Sequence, residues 1–573
     1  MSDAQTLPRQ AGLTPATTLL MVSMLSTGAA GLVMEYVLAT VSTYVLGNSI
    51  EQFSIVIAVM MLTMGGATFL QKYVGDDYLI EKFVAVEVLL SVLGGFAPIL
   101  IYAAFASFET HFSVVLMGLA ACIGFLIGLE IPLVLRINAR YVGELRANLG
   151  WVLSMDFVGA FFGAIVWVKW LLGSYPLTEI SFIVAGVNFL VATMTFVYFA
   201  HRGGVAFPKL CFAASLAAAA ALSWGWLHNR DWSASIEQQL YEAPIKHAET
   251  SKFQRIVLTH DTQSGDWRLY LNGGLQFSSG DEAVYHEHLV HPVMAIAPRR
   301  EKVLILGGGD GLALREVLKY RDVRKVALVD IDPAIVRLAS TSDALRTLNG
   351  EAFADARVSA MGSPAVTGSG FRQVVVDQGN AGSADPKRKT RRGVDKIKVA
   401  TVEVIHIDAF KFVTSIGQDQ WDVIIIDFPD PDQVEIAKLY SRDFYRMLKH
   451  VIAPHGLVAV QATSPYHAKE AFLCIGRTIE SAGYGAVPYH ANVPSFGDWG
   501  WYIFSPEMKT NELRARLASI GDIPVATRYL TPELLSASLA FGKRALTARF
   551  DDVSTVMEPR ILQLYVQYAW QRE

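Results

Sequence analysis

Seven long apolar segments fill the first 230 residues and constrain the fold more than any other feature of the sequence. They cover about residues 15–45, 50–71, 83–106, 111–136, 150–173, 177–200 and 207–227. Each is near or above the ~20 residues that a helix needs to cross a bilayer. Hydrophobic residues make up 52% of the chain and are concentrated before residue 230, and the polar remainder could not bury seven such helices. We therefore predict an α-helical multi-pass membrane domain over residues 14–228, with the lipid bilayer as its partner.

The charges of the short loops predict an orientation for these seven segments. The loops after the second, fourth and sixth segments carry nearly all the basic residues, namely Lys72, Lys82, Arg136, Arg140, Arg146, Arg202 and Lys209. Basic loops favour the cytoplasmic side of a membrane. The rest of the chain, after residue 228, would then lie outside the cell membrane.

A glycine-rich turn between apolar segments indicates a nucleotide-binding fold in the second half of the chain. The strand-like residues 303–306 lead into Gly307-Gly-Gly-Asp-Gly311, and a second apolar segment ends at Asp330. This is the layout of a βαβ unit whose acidic residue holds a ribose about 20 residues after the turn. Asp310 inside the turn is unusual, because a helix N-terminus otherwise attracts anions. Its carboxylate favours a cationic ligand.

Strand-like and helix-like segments alternate from residue 301 onward. Strands are expected at 302–306, 326–330, 402–406, 422–427 and 457–461, which predicts a doubly wound α/β sheet of Rossmann-like, methyltransferase-type fold over 301–510. Asn272-Gly273 signals a β-hairpin, so a small antiparallel sheet is expected within 240–300. Residues 353–400 are expected to form a flexible insertion, and 511–573 a C-terminal helical segment.

Two carboxylates follow the apolar strand 422–427. Asp427 ends the strand, and the turn Phe428-Pro-Asp430 places Asp430 beside it. A pair of carboxylates at the mouth of a strand can bind an ammonium ion and take its proton. Asp408 ends another strand, although an Asp at that position is also a common helix cap. His286, His288 and His291 lack the spacing of a zinc-binding helix, and we expect no metal.

Six segments in this order resemble the polyamine aminopropyltransferases, the spermidine synthase family. They are YHEHLVHP from Tyr285, VLILGGGDGLALREVLKY from Val303, VDIDP from Val329, IDAF from Ile407, DVIIIDFPDP from Asp422 and LYSRDFY from Leu439. The resemblance covers roughly residues 240–510. The apolar segments before it resemble the membrane-bound branch of the family.

The resemblance implies an enzyme that transfers an aminopropyl group from decarboxylated S-adenosylmethionine to a diamine such as putrescine. Spermidine, or a related polyamine, and methylthioadenosine would be the products. By motif, Asp427 would be the general base. The nucleoside side of the site would be formed by Gln254, Gly307, Gly309, Asp310, Asp330, Asp408 and Ala409. The amine side would be formed by Tyr285, His286, Asp310 and Asp430.

The sequence departs from the family pattern at the amine side. The family often has a Gly-Pro pair after its Asp-Pro, whereas this chain continues Asp430-Pro-Asp-Gln-Val434. Phe496 stands where a Tyr is common. These differences concern the choice of amine more than the reaction. The resemblance also implies a cofactor made in the cytoplasm, which disagrees with the outside location that the loop charges predict.

Two other functions fit parts of the sequence. An S-adenosylmethionine-dependent methyltransferase would share the sheet, but Asp310 would repel the methionine carboxylate. A polyamine-binding or transport protein would explain acidic residues inside the apolar segments, which are Glu35, Glu87, Glu130 and Asp156. Charged groups within a membrane are functional candidates, and we predict an interior polar cavity lined by at least two of Glu35, Glu130 and Asp156.

The composition adds little about partners. The net charge is −4 and the three cysteines form no spaced pair. We expect a homo-oligomer, a dimer, and no nucleic-acid partner.

Overall fold

The computed structural model describes residues 14–46, 49–107, 112–355, 358–362, 401–415 and 420–569. The chain divides into two compact units, Met1–Pro244 and Ile245–Glu573. The first unit contains seven long helices. They are α1 (Pro15–Leu46), α2 (Ser49–Leu70), α3 (Leu79–Ser107), α4 (Phe112–Asn138), α5 (Leu145–Val166), α6 (Leu177–Ala200) and α7 (Pro208–Gln238). A π-helical turn, Trp167–Leu171, extends α5.

All seven helices are long and apolar enough to cross a membrane, as the sequence predicts. Helix α7 continues eleven residues past the end of its apolar segment at 227. This extension is polar, and its contacts explain why it remains helical: Arg230 Nε donates to Glu179 Oε1 at 2.7 Å and Ser233 contacts Thr178.

Small residues allow the helices of this unit to approach closely. A Cβ on Gly159 of α5 would lie 2.0 Å from the Leu25 carbonyl oxygen of α1, and one on Gly163 would lie 2.6 Å from the Ala29 carbonyl. A Cβ on Gly128 of α4 would similarly meet the Met64 carbonyl of α2. Interfaces of small residues are typical of helices that pack within a membrane.

The second unit begins with a four-stranded antiparallel sheet. Its strands are β1 (Ile245–Thr250), β2 (Arg255–His260), β3 (Trp267–Leu271) and β4 (Gly274–Ser278), in that spatial order. Asn272 and Gly273 connect β3 to β4 with φ of 50° and 83°. Positive φ at both positions is the geometry of a type I′ turn, which the Asn-Gly pair predicts.

An eight-stranded mixed sheet follows. Its strands are β5 (Lys302–Gly307), β6 (Lys325–Val329), β7 (Val358–Gly362), β8 (Thr401–Ile405), β9 (Trp421–Asp427), β10 (Ile452–Gln461), β11 (Gly485–Val493) and β12 (Gly497–Ser505). The spatial order is β11-β12-β10-β9-β5-β6-β8-β7. Strands β5 to β10 are parallel, whereas β12 pairs antiparallel with β10 and β11.

Helices cover both faces of this sheet, and each face has its own hydrophobic core. The helices are α8 (Glu282–Ile296), α9 (Leu312–Leu318), α10 (Pro333–Thr341), α11 (Asp343–Leu348), α12 (Ala409–Ser415), α13 (Val434–Ala437), α14 (Arg442–Leu448), α15 (Lys469–Ser481), α16 (Thr510–Ala518), α17 (Pro532–Ser538) and α18 (Arg560–Tyr568). The chain leaves β5 in one direction to β6 and β8, and later returns on its other side to β9 and β10. The space above β5 and β9 is therefore the switch point, where ligands bind in such sheets.

The structure corrects the sequence-based description at three places. Residues 358–362, expected within the flexible insertion 353–400, form edge strand β7 beside β8; residues 363–400 lie outside the described residues. Strands β11 and β12 were not expected, because their aromatic residues are interrupted by Pro and Gly. The segment 511–573 is only partly helical, since 519–531 and 539–559 connect α16, α17 and α18 without regular structure.

Candidate active site

The glycine turn after β5 lies directly against the end of β9. Gly307 pairs with Asp427 in the sheet and has a φ of 84°. A Cβ on Gly307 would lie 2.1 Å from the Asp427 carbonyl oxygen, and one on Gly309 would lie 2.6 Å from Asp330 Oδ2. Side chains are therefore excluded at both positions. This close approach brings the turn, Asp330 and Asp427 into one site.

Asp330 follows β6 and is fixed by two backbone donors. The amide of Gly309 donates to its Oδ2 at 3.0 Å, and the amide of Asp332 donates to Oδ1 at 2.8 Å. Burial raises the pKa of Asp330 to about 7 despite these donors. A nearby ribose hydroxyl would offer further donors to the charged carboxylate.

Gln254 reaches the same edge from the antiparallel sheet. Its Nε2 donates to Asp332 Oδ2 at 3.0 Å, and Ser251 Oγ donates to the same oxygen at 2.6 Å. Asp332 is fully buried and caps α10 through the amide of Ala334. Gln254 is thus held beside the end of β6 by Asp332, a contact that the sequence does not predict.

Asp310 is half-buried at the start of α9. Its Oδ1 accepts the amide of Leu312 at 2.9 Å, and its backbone carbonyl accepts Nδ2 of Asn349 at 3.1 Å. Its charge acts on both Asp427 and His286. Asp310 on the turn, Asp427 on the strand and His286 on α8 are therefore close neighbours.

Asp427 accepts a hydrogen bond of 2.8 Å from the hydroxyl of Tyr285 to its Oδ1. Burial raises the pKa of Asp427 to about 6, and the Asp310 charge acts in the same direction. The positive charge of His286 and the Tyr285 hydrogen bond oppose this increase. Asp427 can therefore both release and accept a proton near neutral pH, which a general base requires.

His286 is buried behind Asp427 and Asp310. Burial disfavours its charged form, but the hydrogen bond and charge of Glu282, together with Asp310 and Asp427, raise the pKa of His286 to about 9. Glu282 Oε2 lies 3.2 Å from His286 Nδ1, and Arg315 binds both oxygens of Glu282 at 2.8 and 2.9 Å. An imidazolium therefore balances part of the negative charge of this pocket.

Asp430 is held by partners from α18 and from the end of β10 with the residues that follow it. Tyr565 of α18 donates its hydroxyl to Oδ2 at 2.7 Å, and Thr463 donates to the same oxygen at 3.2 Å. Gln461 Nε2 lies 3.5 Å from Oδ1 and also donates to the carbonyl of Phe428 at 2.6 Å. Burial raises the pKa of Asp430 to about 6.

Aromatic rings surround Tyr285. Its ring centroid lies 6.0 Å from that of Phe496, 6.5 Å from that of Trp499 and 5.7 Å from that of Trp501. Trp499 is 7% exposed, and among the described residues its Nε1 has no hydrogen-bond partner. The methylenes of an alkylamine can pack against such faces, and their negative potential also favours a cation.

Asp408 and Ala409 lie at the start of α12, after β8. Asp408 Oδ1 accepts the amide of Lys411 at 3.0 Å, and Oδ2 pairs with Lys438 Nζ at 2.8 Å. Ala409 is buried in the core. The sequence does not predict the Lys438 pair, and an adenine amine at this carboxylate would have to share Oδ2 with it.

The structure thus places every sequence-predicted site residue along the carboxyl edge of the sheet or on α8 beside it. Sequence reasoning missed the residues that hold these side chains in place. They are Glu282, Arg315, Asp332, Lys438, Tyr440, Gln461, Thr463, Trp499 and Tyr565. Arg315, Asp332 and Tyr440 lie inside the quoted motifs, but the motifs do not show which side chains they contact. Gln461, Thr463 and Tyr565 lie outside the motifs.

A buried group that resembles a metal site lies nearby, formed by Glu287, His291 and Glu316. Glu287 accepts three backbone amides of 528–530, at 2.6 to 2.9 Å. Glu316 pairs with His291 at 2.8 Å and with Arg315 at 2.7 Å. These contacts already occupy the atoms that would bind a metal.

Comparison with known proteins points to a single family. A family model described as "Spermine/spermidine synthase domain" matches residues 282–366 and 388–515. "Polyamine aminopropyltransferase 1" of Streptomyces coelicolor is 36% identical over 559 residues, which are 96% of this chain and 94% of that protein. "Polyamine aminopropyltransferase" of Oceanobacillus iheyensis is 33% identical, covering 94% and 95%.

The similarity to these proteins includes the helical unit as well as the sheet. "Polyamine aminopropyltransferase" of Mycobacterium tuberculosis is 32% identical and covers 96% of both chains. Among solved structures, spermidine synthase from Thermotoga maritima is 22% identical with a TM-score of 0.40, covering 53% of this chain and 87% of that one.

Proposed function

This chain belongs to the polyamine aminopropyltransferase family, and we propose that it transfers the aminopropyl group of decarboxylated S-adenosylmethionine to a diamine such as putrescine. The products would be spermidine, or a related polyamine, and methylthioadenosine. The observation that carries this proposal is the cluster at the switch point, where Asp427, Asp310 and Asp430 lie close to Tyr285 and its aromatic neighbours. Three carboxylates with one imidazolium give a site that selects cations.

The reaction needs one proton transfer and one substitution at carbon. Asp427 takes a proton from the ammonium group of the diamine, and the freed nitrogen attacks the methylene carbon next to the sulfonium. The new carbon–nitrogen bond forms as the carbon–sulfur bond breaks, and the sulfur leaves as a neutral thioether. Positioning and deprotonation supply most of the rate enhancement in such a displacement.

The remaining site residues bind and orient the nucleoside and the diamine. Asp330 and Gln254 hold the ribose end of the nucleoside, and Asp408 with Ala409 lies at the adenine end. Asp310 binds the ammonium group of the aminopropyl chain. Asp430, Tyr285 and His286 form the amine side. The chemistry needs no metal, because the sulfonium is already an activated leaving group.

The ionisation of Asp427 should determine how the rate of aminopropyl transfer depends on pH. Asp427 accepts a proton only when it is ionised, and burial raises its pKa to about 6. We expect kcat/KM for the diamine to fall as pH decreases through about 6. Tyr285→Phe removes a hydrogen bond that stabilises the charged form of Asp427. The acid limb of the kcat/KM profile of this variant should therefore move to higher pH. Initial-rate profiles of both proteins test this, and a wild-type limb near pH 4, the ordinary range of a carboxyl, would contradict it.

Tyr565 is expected to position Asp430. Tyr565→Phe removes its 2.7 Å hydrogen bond to that carboxylate, and a hydrogen bond to a charged group contributes ~1.5–3 kcal/mol. We expect KM for the diamine to rise by roughly 10- to 100-fold, while the affinity for the nucleoside stays unchanged. Tyr568→Phe on the same helix is the control. Equal kinetics of the two variants would show that Tyr565 has no such role.

We further propose that α1 to α7 span a cell membrane and that the active chain is a dimer. The lengths and apolar composition of the helices support the first proposal. Loop charges favour an external catalytic unit, whereas cytoplasmic supply of the nucleoside favours the opposite side. A cysteine added in the 519–531 loop can be treated with a membrane-impermeant reagent in intact cells. Labelling would show an external catalytic unit, and protection would show a cytoplasmic one.

A further inference from the structure

Thr463, which follows β10, has a backbone conformation that its side chain disfavours. Its φ is 59°, and a positive φ at a β-branched residue is a genuine outlier. Six non-glycine residues in the described part of the chain have a positive φ, and Thr463 is the only one of them that is buried. Strain of this kind persists only where the surrounding contacts impose it, and it is common at functional sites.

Strand β12 fixes the backbone on both sides of Thr463. The carbonyl of Gly500 accepts the amide of Ala462 at 2.9 Å, and the amide of Gly500 donates to the carbonyl of Thr463 at 2.9 Å. The amide of Thr463 donates to Gln461 Oε1, also at 2.9 Å. These three hydrogen bonds hold the strained conformation in place.

The strained conformation brings the hydroxyl group of Thr463 to Asp430. Its Oγ1 donates to Asp430 Oδ2 at 3.2 Å, beside the 2.7 Å hydrogen bond that Tyr565 donates to the same oxygen. Thr463 is fully buried, so the hydroxyl group has little freedom to move away. Two hydroxyl donors therefore occupy Oδ2 and fix the orientation of the carboxylate.

The other oxygen of Asp430, Oδ1, remains open. In the described part of the chain its one donor is Gln461 Nε2, at the long distance of 3.5 Å. That side-chain amide has two N–H donors. Shorter hydrogen bonds to the carbonyl of Phe428, at 2.6 Å, and to the hydroxyl of Tyr440 use both of them. Oδ1 can therefore accept a hydrogen bond from a bound ligand.

We propose that Thr463 is a positioning residue that determines which diamines are accepted, because it fixes Asp430 and leaves Oδ1 for the unreactive ammonium group of the diamine. A carboxylate with one occupied and one open oxygen binds that ammonium group at a set distance from Asp427. A diamine of the wrong length cannot reach both carboxylates. This proposal rests on the function proposed above, since it assigns the two ends of the diamine to Asp427 and Asp430.

Equilibrium dialysis of the full chain in lipid nanodiscs tests the proposal. The probes are radiolabelled putrescine and its longer homologue cadaverine, with methylthioadenosine present. Thr463→Val keeps the shape of the side chain but removes the hydroxyl group. We expect its Kd for the preferred diamine to rise about tenfold, while its Kd for the other diamine changes less. Thr463→Ser retains a hydroxyl group and should keep the affinities and the preference of the wild type.

Thr478→Val is the matched control, because Thr478 is also buried and its hydroxyl group donates to the Cys474 carbonyl of α15 at 2.7 Å. It should retain the wild-type affinities. If Thr463→Val does not fold, Thr463→Gly takes its place, since glycine adopts a positive φ without strain and also lacks the hydroxyl group. Wild-type affinity and preference in the variant without the hydroxyl group would overturn the proposal, as would a Thr463→Ser chain that is equally impaired.

Aminopropyl transfer by the same samples separates this proposal from the proposed function. A wild type that transfers nothing, but binds a diamine in a way that depends on the Thr463 hydroxyl group, would refute the function and keep the role of Thr463. Transfer by the wild type, with unchanged diamine affinities after loss of the hydroxyl group, would keep the function and refute that role. A wild type that binds neither diamine would overturn both.

Discussion

Replacement of Asp427 by Asn is expected to reduce kcat by roughly 10²–10⁴, the usual scale for loss of a general base. An amide at this position can still accept the Tyr285 hydrogen bond, which is 2.8 Å long, but it cannot take the proton of the attacking amine. Folding and nucleoside affinity should remain close to those of the wild type. Single-turnover rates with saturating substrates measure the effect on chemistry directly.

Asp422→Asn is the matched control for this substitution. Asp422 lies on the same strand, at its opposite end, where its Oδ2 accepts the amide of Lys302 at 2.9 Å. An Asn can keep that bond, so the control should retain nearly full turnover. If Asp427→Asn kept a rate similar to that of the control, Asp427 would not be the base.

Replacement of Asp310 by Asn is expected to change which nucleoside binds. The Asp310 carboxylate would bind the ammonium group of the decarboxylated nucleoside and repel the extra carboxylate of S-adenosylmethionine. A hydrogen bond to a charged group contributes ~1.5–3 kcal/mol, so the variant should bind the decarboxylated form roughly 10- to 100-fold more weakly. Its affinity for S-adenosylmethionine should stay equal or increase.

Calorimetry with both nucleosides provides the measurement. Asp343→Asn also removes one carboxylate charge, but from an exposed position at the start of α11. This control should leave the preference for the decarboxylated nucleoside unchanged. Equal affinities of the wild-type chain for the two nucleosides would contradict the role of Asp310. Equal affinities would instead favour the function of an S-adenosylmethionine-dependent methyltransferase.

The sequence predicts those parts of the fold and the site that depend on local patterns. Parallel strands of buried aliphatic residues end together at one edge of their sheet, so the acids after Val329, Ile407 and Ile426 could be placed on one side of it. The Asn272-Gly273 turn needs positive φ at both positions, which few other pairs tolerate. Seven apolar segments likewise predict seven long helices without knowledge of their packing.

The missed features depend on contacts between distant parts of the chain. The Tyr565–Asp430 hydrogen bond joins residues 135 apart, and no local pattern marks Tyr565 among the hydrophobic residues of α18. The Lys438–Asp408 pair arises because the loop after β9 folds back toward α12. Strand β7 has the sequence Val-Ser-Ala-Met-Gly and lacks the continuous aliphatic residues that mark β5, β6 and β9.

The acidic residues inside the apolar helices illustrate the same limit. The sequence shows that Glu35, Glu87, Glu130 and Asp156 lie inside apolar segments, but not which helices are neighbours. Close packing at Gly28, Gly159 and Gly163 brings α1 against α5 and places the Asp156 carboxylate beside Gly28. The interior cavity that the sequence suggests around them stays a prediction.

The most direct test of this account is to supply the purified full chain with decarboxylated S-adenosylmethionine and a panel of diamines, and to identify the products by mass. We expect putrescine, or a related diamine, to gain one aminopropyl group while an equal amount of methylthioadenosine is released. The Asp427→Asn protein should form both products far more slowly. The account would be contradicted if no diamine were extended, or if S-adenosylmethionine gave a methylated amine and S-adenosylhomocysteine instead.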